Sequence, residues 1–439
     1  MNTLKSFLRG LGIAVLIALS VTLWIMLPWP LLFALAVLLG VWMLLTRSGR
    51  QASSATWIGV STIGQRLGAS SVIVVGIAGV VGVLVALLAM GEGLTKTLRS
   101  TGDTSTAIIL RGGATAELSS GLGREDVTLI GQLPGILRDA EGKPIASPEL
   151  VVVANLPKKS TGSDANVEVR GIGPQAWALR PNVKIVEGRA FTPGLREMVV
   201  GKGARAQFAG LDPGTEINLN NQQWTIVGMF ESGDAHESEL LGDVDTVAAA
   251  YRRTGGYQSM TVRLTSPESL DELKAAIATD PRLKVDAKTT LDYYTAQSEN
   301  LSKVIRVVGI TIAVIMAIGA IFGALNTMYA AVATRAREIA TLRAIGFRAP
   351  PVIVSVMLET MLLALAGGVL GGLIAWLIFD NYSVSTLGAN FSQVVFQFSV
   401  SPQLLSNGLK WALAIGFIGG LLPALRAARL PVTTALRES

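Results

Sequence analysis

Chemistry has few places to reside in this chain. Its 439 residues include no cysteine and a single histidine, His236. Disulfides, thiol catalysis and Cys-based metal sites are excluded, and a single histidine disfavours a His-built metal centre or a Ser-His-Asp triad. No G-x-x-x-x-G-K-[ST] loop occurs, so the chain encodes no backbone cradle for nucleotide phosphates. Gly201-Lys-Gly203 and Gly91-Glu-Gly-Leu-Thr-Lys-Thr97 have the wrong spacing. Acids and serines are scattered, with no motif around a nucleophile or a carboxylate pair. No catalytic, cofactor-binding or metal-ligating residue is assigned.

What remains is a segment built for contact. Thr334 to Val352 is short and basic, with Arg335, Arg337, Glu338, Arg343 and Arg348 as its charges. Ile339, Leu342 and Ile345 recur at helical spacing and predict one apolar face over 334–348. Gly346 supplies a helix stop. An amphipathic helix of this kind lays its apolar face into a groove on a partner; the alternative is a solvated basic loop. Glu359 follows about two turns into the next apolar run, where an acid costs about 2.5–3.5 kcal/mol at a helix centre. It reads either as a contact to a neighbouring helix or the basic segment, or as an acid near the headgroups. Gly367, Gly368, Gly371 and Gly372 let helices approach closely, at a dimer face or inside one subunit.

The elements that position these residues are membrane spans. Half of the residues are hydrophobic and 15% are charged, against about 25% in soluble domains. The net charge of +6 follows from enrichment of Lys and Arg in cytoplasmic loops more economically than from nucleic-acid binding. Lys5 and Arg9 precede an uncharged stretch from Gly10 to Thr46. One helix of that length would be about 55 Å long, nearly twice the hydrocarbon core. Leu27-Pro-Trp-Pro-Leu31 at its midpoint predicts two short helices and a tight turn. A cleaved signal peptide is disfavoured, since no small-x-small site ends the run. Further spans are predicted over about 70–90, 307–333, 351–379 and 404–425. Arg47, Arg50, Arg66, the 334–348 cluster, Arg426, Arg429 and Arg437 then lie on one side. The loop from Asp380 to Gln403, which lacks Lys and Arg, lies on the other with a segment of about 210 residues. Six spans with both termini inside satisfy the positive-inside rule. Lys410 and Trp411 are expected to be a snorkelling lysine and an interfacial tryptophan.

The outer segment reads as α+β. Runs at 107–110, 150–153, 167–170, 197–200, 224–230 and 260–264 have strand character and are punctuated by Gly, Pro, Asn and Asp. Pro267 to Ile277 reads as a helix with early acids, and Pro157 to Asp164 as a surface loop.

Four features together resemble the MacB/FtsX-like (type VII) ABC permease superfamily. Arg337-Glu-Ile339 and Leu342-Arg-Ala-Ile-Gly346 resemble its coupling segment. Glu359 with Gly367-Gly-Val-Leu-Gly-Gly372 resembles its intramembrane acid and glycine-rich third core span. Gly419-Gly-Leu-Leu-Pro-Ala-Leu-Arg-Ala-Ala-Arg-Leu-Pro431 and Ala435-Leu-Arg437 resemble its final span and tail. Trp57 to Gly93 resembles its first core span, and Val186-Glu-Gly-Arg-Ala-Phe191 with Trp224 to Phe230 its extracytoplasmic domain. The likeness covers about residues 55–439.

The resemblance implies a polytopic α-helical membrane protein with about six spans, an N-terminal hairpin plus a four-helix permease core, and a large α+β extracytoplasmic domain. Its parts are a membrane hairpin at 1–50, a cytoplasmic helix and first core span at 51–96, a periplasmic domain at 97–300, and at 301–439 a permease core with three spans and the coupling helix. It implies a bacterial cytoplasmic (inner) membrane location and a dimer with a second permease copy or paralogue. A separate ABC ATPase subunit would bind ATP, with none in this chain. Membrane lipid and a periplasmic adaptor or membrane-fusion protein complete the candidate partners; nucleic acid is not among them. The implied function is relay of ATP-driven motion to the periplasmic domain, for export or extraction of a substrate from the periplasm or outer leaflet. FtsX-like mechanotransmission without cargo is the alternative within the family, and a membrane-anchored sensor or receptor the alternative outside it. The N-terminal hairpin is extra to the family's four-span core, and the ATPase domain fused in MacB itself is missing from these residues.

Overall fold

Leu27-Pro-Trp-Pro-Leu31 interrupts the first apolar stretch: residues 23–26 are helical, and a new helix, α1 (Trp29–Leu45), starts after Pro28. The computed structural model describes residues 23–429 except Ala389 and Phe391. Most of the first expected span, with Lys5, Arg9 and Arg437, therefore lies outside the described residues. Thr46 is extended, and its hydroxyl accepts from the Gly49 amide at 2.9 Å. That cap starts α2 (Arg47–Ser61) at a bend of 102° to α1. Gly49, Ala52, Ala55 and Gly59 are buried on one face of α2, the i, i+3/i+4 spacing of a helix lying on a support.

Four helices among the described residues are long and apolar enough to cross a membrane. They are α3 (Leu67–Thr101), α4 (Thr290–Thr334), α6 (Ala349–Phe379) and α7 (Pro402–Arg429), with the short α5 (Ala336–Ala344) between α4 and α6. The second expected span is α1, whose 17 residues reach about 25 Å, short of a hydrocarbon core of about 30 Å. The expected helix over 334–348 is shorter than predicted, with nine residues. Arg335 leaves helical geometry at ψ 10°, and Gly346 at φ +103° ends the turn. The Phe347 amide donates to Leu342 O and the Gly346 amide to Arg343 O, the paired bonds of a glycine-stopped helix end.

Lys410 does not snorkel. It is 7% exposed, donates from Nζ to the carbonyls of Leu27 (2.9 Å) and Ile25 (3.3 Å), and lies 5.5 Å from the Trp29 ring centroid. The proline break frees carbonyls in an apolar setting, and the ammonium on α7 satisfies two of them.

The chain divides into two compact units. The first takes the described residues up to Met90, Ile305–Asp380 and those from Ser399 onward; the second takes Gly91–Val304 with Asn381–Phe398. The second is sheet-rich. Its strands are β1 (Thr106–Arg111), β2 (Leu122–Gly123), β3 (Ala146–Pro157), β4 (Asp164–Ile172), β5 (Lys184–Gly188), β6 (Glu197–Gly201), β7 (Glu216–Leu219), β8 (Gln222–Glu231), β9 (Glu239–Asp243), β10 (Gly256–Tyr257), β11 (Ser259–Arg263) and β12 (Val285–Thr289). Ten of them form one sheet in the order β12-β1-β11-β3-β4-β9-β6-β8-β5, with β7 on β8. β4 pairs parallel to β9 and β6 parallel to β8. All six expected strand runs lie in this sheet, the expected helix is Ser269–Thr279, and 157–164 turns between β3 and β4. One core forms around Trp224, Phe208 and Val167, another around Ile109, Val262 and Leu273.

The sequence reading bounded the outer domain at 97–300. The outer unit instead begins at Gly91, ends at Val304 and includes a hairpin from the loop without Lys or Arg, β13 (Ser383–Leu387) paired to β14 (Gln393–Gln397).

Candidate functional site

Glu359 sits on α6 and is 3% exposed. A buried carboxylate is tolerated only when paired, and this one is paired twice. Nη2 of Arg66 lies 2.9 Å from Oε1 and Nη1 of Arg335 lies 3.0 Å from Oε2. Arg66 closes the short turn Ile63–Arg66 directly before α3, and Arg335 is the residue between α4 and α5. Arg66 also donates from Nη2 to Thr62 Oγ1 at 3.1 Å, and Arg335 from Nε to Glu338 Oε2 at 3.1 Å. A Cβ on Gly59 of α2 would lie 2.9 Å from Glu359 Oε2, so glycine lets α2 pass over the carboxylate. One acid thus gathers the start of α3, the α4–α5 junction, α6 and α2. The expected contact between Glu359 and the basic segment is made at Arg335.

The residues of α5 divide by exposure. Arg337, Glu338 and Thr341 are exposed and Ile345 is 70% exposed; Leu342 and Arg343 are half-buried. Ile339 is 6% exposed and its neighbour Ala340 1%. The predicted stripe of Ile339, Leu342 and Ile345 is therefore not a single free face. The helix is shorter than expected, and Ile339 and Ala340 at its middle are packed into its own chain. Gly346 ends the helix at the surface.

The four glycines of α6 pack inside the chain. A Cβ on Gly367 would meet Val74 O at 2.8 Å, and one on Gly371 would meet Ala78 O at 2.4 Å, both on α3. On the adjacent face, a Cβ on Gly368 would meet Ala412 Cβ at 2.7 Å and one on Gly372 Leu405 Cδ2 at 3.3 Å, both on α7. Two helices thus lie against α6 on neighbouring glycine rows.

The outer unit holds a buried charge cluster that sequence reasoning missed. Arg170 on β4 is 2% exposed. It donates to Glu117 (2.7 and 3.0 Å), Glu239 (2.7 and 3.2 Å), Glu168 (2.7 Å) and Glu149 (3.0 Å). Arg180 clasps both oxygens of Glu149 at 2.7 Å, and His236 Nδ1 lies 3.2 Å from Glu239 Oε1. The planar five-donor fork of arginine suits such a hub. Burial opposes ionisation of Glu149, yet Arg180 and Arg170 hold its pKa below the usual carboxylate value. Burial likewise opposes ionisation of Glu239, and Arg170 with His236 holds it well below. Burial disfavours charge on His236, but Glu239 and Asp234 outweigh it and raise its pKa. Glu168 goes the other way: burial and Glu239 push it up to about 7 against the pull of Arg170. The available signal was alternation on β4: Glu168 and Arg170 flank Val169 and share a face, and that face proved to be buried. Among the described residues no group of His, Cys, Asp and Glu side chains is arranged to hold a metal ion.

A family model described as MacB-like periplasmic core domain matches residues 70–280, and one described as FtsX-like permease C-terminal matches residues 310–432. The chain is 27% identical over 304 residues to the macrolide export ATP-binding/permease protein MacB of Hahella chejuensis, covering 62% of this chain and 43% of that one. It is 26% identical over 388 residues to the pyoverdine export ATP-binding/permease protein PvdT of Pseudomonas entomophila, covering 83% and 56%. The chain spans about half the length of these curated relatives. The crystal structure of the periplasmic region of MacB from Actinobacillus actinomycetemcomitans overlaps 47% of this chain and 98% of its own, at 17% identity and a TM-score of 0.33.

Proposed function

This chain belongs to the MacB/FtsX-like permeases of ABC transporters, as a multi-pass inner-membrane protein with a periplasmic domain, and we propose that it relays ATP-driven motion of a separate ATPase subunit to that domain. The relay serves export or extraction of a substrate from the periplasm or the outer leaflet. ATP is bound by the partner, since this chain has no phosphate-cradling loop.

The observation that carries the reading is the Glu359 clamp. A partner that tilts α5 pulls on Arg335 at its start, and Arg335 is tied to α6 through Glu359 and from there to α3 through Arg66. Ion pairs in a shielded site are directional and costly to break one-sidedly, so a displacement of α5 passes to two spans together. Arg337, Glu338, Thr341, Ala344 and Ile345 are the exposed side chains of α5 and its cap, and they form the face offered to the ATPase. α4 is the least covered span, 17% buried against 39–56% for the others, and offers its apolar surface to a second permease copy or to lipid. A periplasmic adaptor is compatible with the relay and not required by it.

The test is reconstitution in lipid nanodiscs with the ATPase subunit. The chain alone should hydrolyse no ATP, and with the subunit it should raise ATP turnover. Glu359→Gln should keep the subunit bound while lowering that stimulation at least tenfold. Unchanged stimulation by Glu359→Gln would remove the clamp from the relay. Failure of the chain to associate with any ATPase subunit would favour the sensor reading, and stimulation without movement of any cargo the FtsX-like one.

A further inference from the structure

Glu168 is the carboxylate of the buried cluster that the β13–β14 segment holds directly. Asn390 Nδ2 donates to both of its oxygens (3.3 and 3.2 Å), and Ser392 Oγ donates to Oε2 at 2.8 Å. We propose that Glu168 is a proton-binding site whose occupancy sets how firmly the β13–β14 segment is clasped to the periplasmic domain. The inference rests on this domain's own geometry and does not need the relay.

Charge balance comes first. Four carboxylates (Glu117, Glu149, Glu168, Glu239) share a buried space with two guanidinium groups, Arg170 and Arg180. Even with His236 cationic these seven groups carry one negative charge in excess, and buried Asp234 beside His236 adds to it. An uncompensated buried charge is resolved by neutralisation, and binding a proton does so here.

Donor supply decides where the proton goes. Glu117 takes both Nη groups of Arg170 and the hydroxyl of Ser259 at 2.7 Å. Glu149 is chelated by Arg180, and Glu239 takes the Nε side of Arg170 with the His236 ring 3.2 Å away. Glu168 receives one bond from Arg170, and its other partners are neutral. Tyr293 and Tyr294 of α4 face the same cluster and stay neutral, because burial pushes both phenols up. Protonated Glu168 gains an acceptor when the Asn390 amide turns over, since Nδ2 of that amide faces both carboxylate oxygens in the structure. Asn390 Oδ1 is buried and has no hydrogen-bond partner. It lines, with Glu168 and Tyr294, a cavity of about 40 Å³, room for a water or two.

The sign follows from linkage. Clasped, Glu168 titrates at about 7 because it is buried beside Glu239 and Glu117. Released into water it returns toward the ordinary carboxylate value of 4.5. The clasped state therefore binds the proton more tightly. Its advantage is full below about pH 4.5 and is lost as pH rises through about 7. The pKa of His236 is also raised, and its contribution falls in the same direction, so the test must separate the two.

Hydrogen exchange of the 383–397 amides in the full chain, corrected for intrinsic rates, reads the clasp. Protection should fall about tenfold between pH 6 and pH 8. Glu168→Gln is neutral at every pH, and its Nε2 can donate to Asn390 Oδ1 once that amide turns over; its segment should stay protected at pH 8, with no more slope than His236 contributes. Ser392→Ala removes a donor that favours the charged form, so the midpoint should move to higher pH. It is the milder change and serves if Glu168→Gln does not fold. Flat protection in the unmodified chain overturns the proposal. So does the same slope in Glu168→Gln, which would assign the titration to His236, or a midpoint in Ser392→Ala that stays put or falls.

Discussion

Nη1 of Arg335 lies 3.0 Å from Oε2 of Glu359, and this contact pins the residue that starts α5 to a buried acid on the next span. Arg66 reaches the other oxygen of the same carboxylate. Three segments far apart in sequence thus share one charge. Removing Glu359 strands two guanidinium groups whose side chains are only 19% and 14% exposed. One-sided loss of a buried pair costs about 3–5 kcal/mol, and the residual exposure places this site at the low end. Glu359→Gln should therefore lower the thermal midpoint of the detergent-solubilised chain. Arg335→Gln with Glu359→Gln should cost less than the sum of the single changes, because both remove the same interaction. Strict additivity would mean that the two side chains do not act as a pair.

The two faces of α5 separate folding from partner binding. Ile345→Asp adds a charge at a position 70% exposed, so the chain should fold and insert normally while ATPase co-purification falls. Ile339→Asp places an unpaired charge at a buried position, which costs several kcal/mol and should lower the chain's own thermal stability and yield. If Ile339→Asp leaves stability untouched, or Ile345→Asp leaves ATPase recovery at the unmodified level, the division of faces is wrong.

The glycine rows predict a size limit on α6. A Cβ on Gly371 would lie 2.4 Å from Ala78 O and 2.9 Å from Ala78 Cα. That contact is with backbone and cannot be relieved by a rotamer change, so Gly371→Ala should cost about 1–3 kcal/mol, as overpacking does. A Cβ on Gly323 of α4 meets nothing within 4 Å. Gly323→Ala should be neutral or stabilising by up to about 1 kcal/mol. Thermal midpoints of the two variants at matched detergent give the comparison, and equal effects would overturn the packing assignment.

In the periplasmic domain, Arg170→Lys keeps the charge but replaces a planar fork by a point charge. Four carboxylates cannot all be reached by one ammonium, so a loss of about 3 kcal/mol is expected, near that of removing one partner of a buried pair. Limited proteolysis should then cut the domain at pH 7 under conditions that leave the unmodified chain intact. Acid should weaken the unmodified domain as well. Glu149 and Glu239 have lowered pKa values, so their contribution is present above the ordinary carboxylate pKa and is lost as pH falls. A domain as resistant to protease at pH 3 as at pH 6 would contradict that assignment.

The sequence alone determined what is written in local pattern. Apolar runs long enough for a bilayer marked the spans, and Lys and Arg beside them marked the cytoplasmic side. Alternating runs marked six strands of the sheet, and Gly346 marked the end of α5, because only a residue free to take positive φ stops a helix that way. It also showed that no nucleotide-cradling loop is present among these residues. What the tertiary structure decided depends on which distant residues meet. Glu359 could have been an interfacial acid; whether it is paired depended on Arg66 and Arg335 arriving beside it. Lys410 has the composition of a snorkelling lysine, and only the docking of the Ile25–Leu27 carbonyls made it a buried cap. Ile339 and Ile345 share a helical stripe, yet packing buries one and leaves the other exposed. Arg170 and its four carboxylates come from β4, β3, β9 and the turn at Glu117, and strand alternation connects only Glu168 with Arg170. Local pattern fixes which face of an element is apolar, whereas a buried charge becomes legible only when the fold brings its counter-charge within hydrogen-bond range.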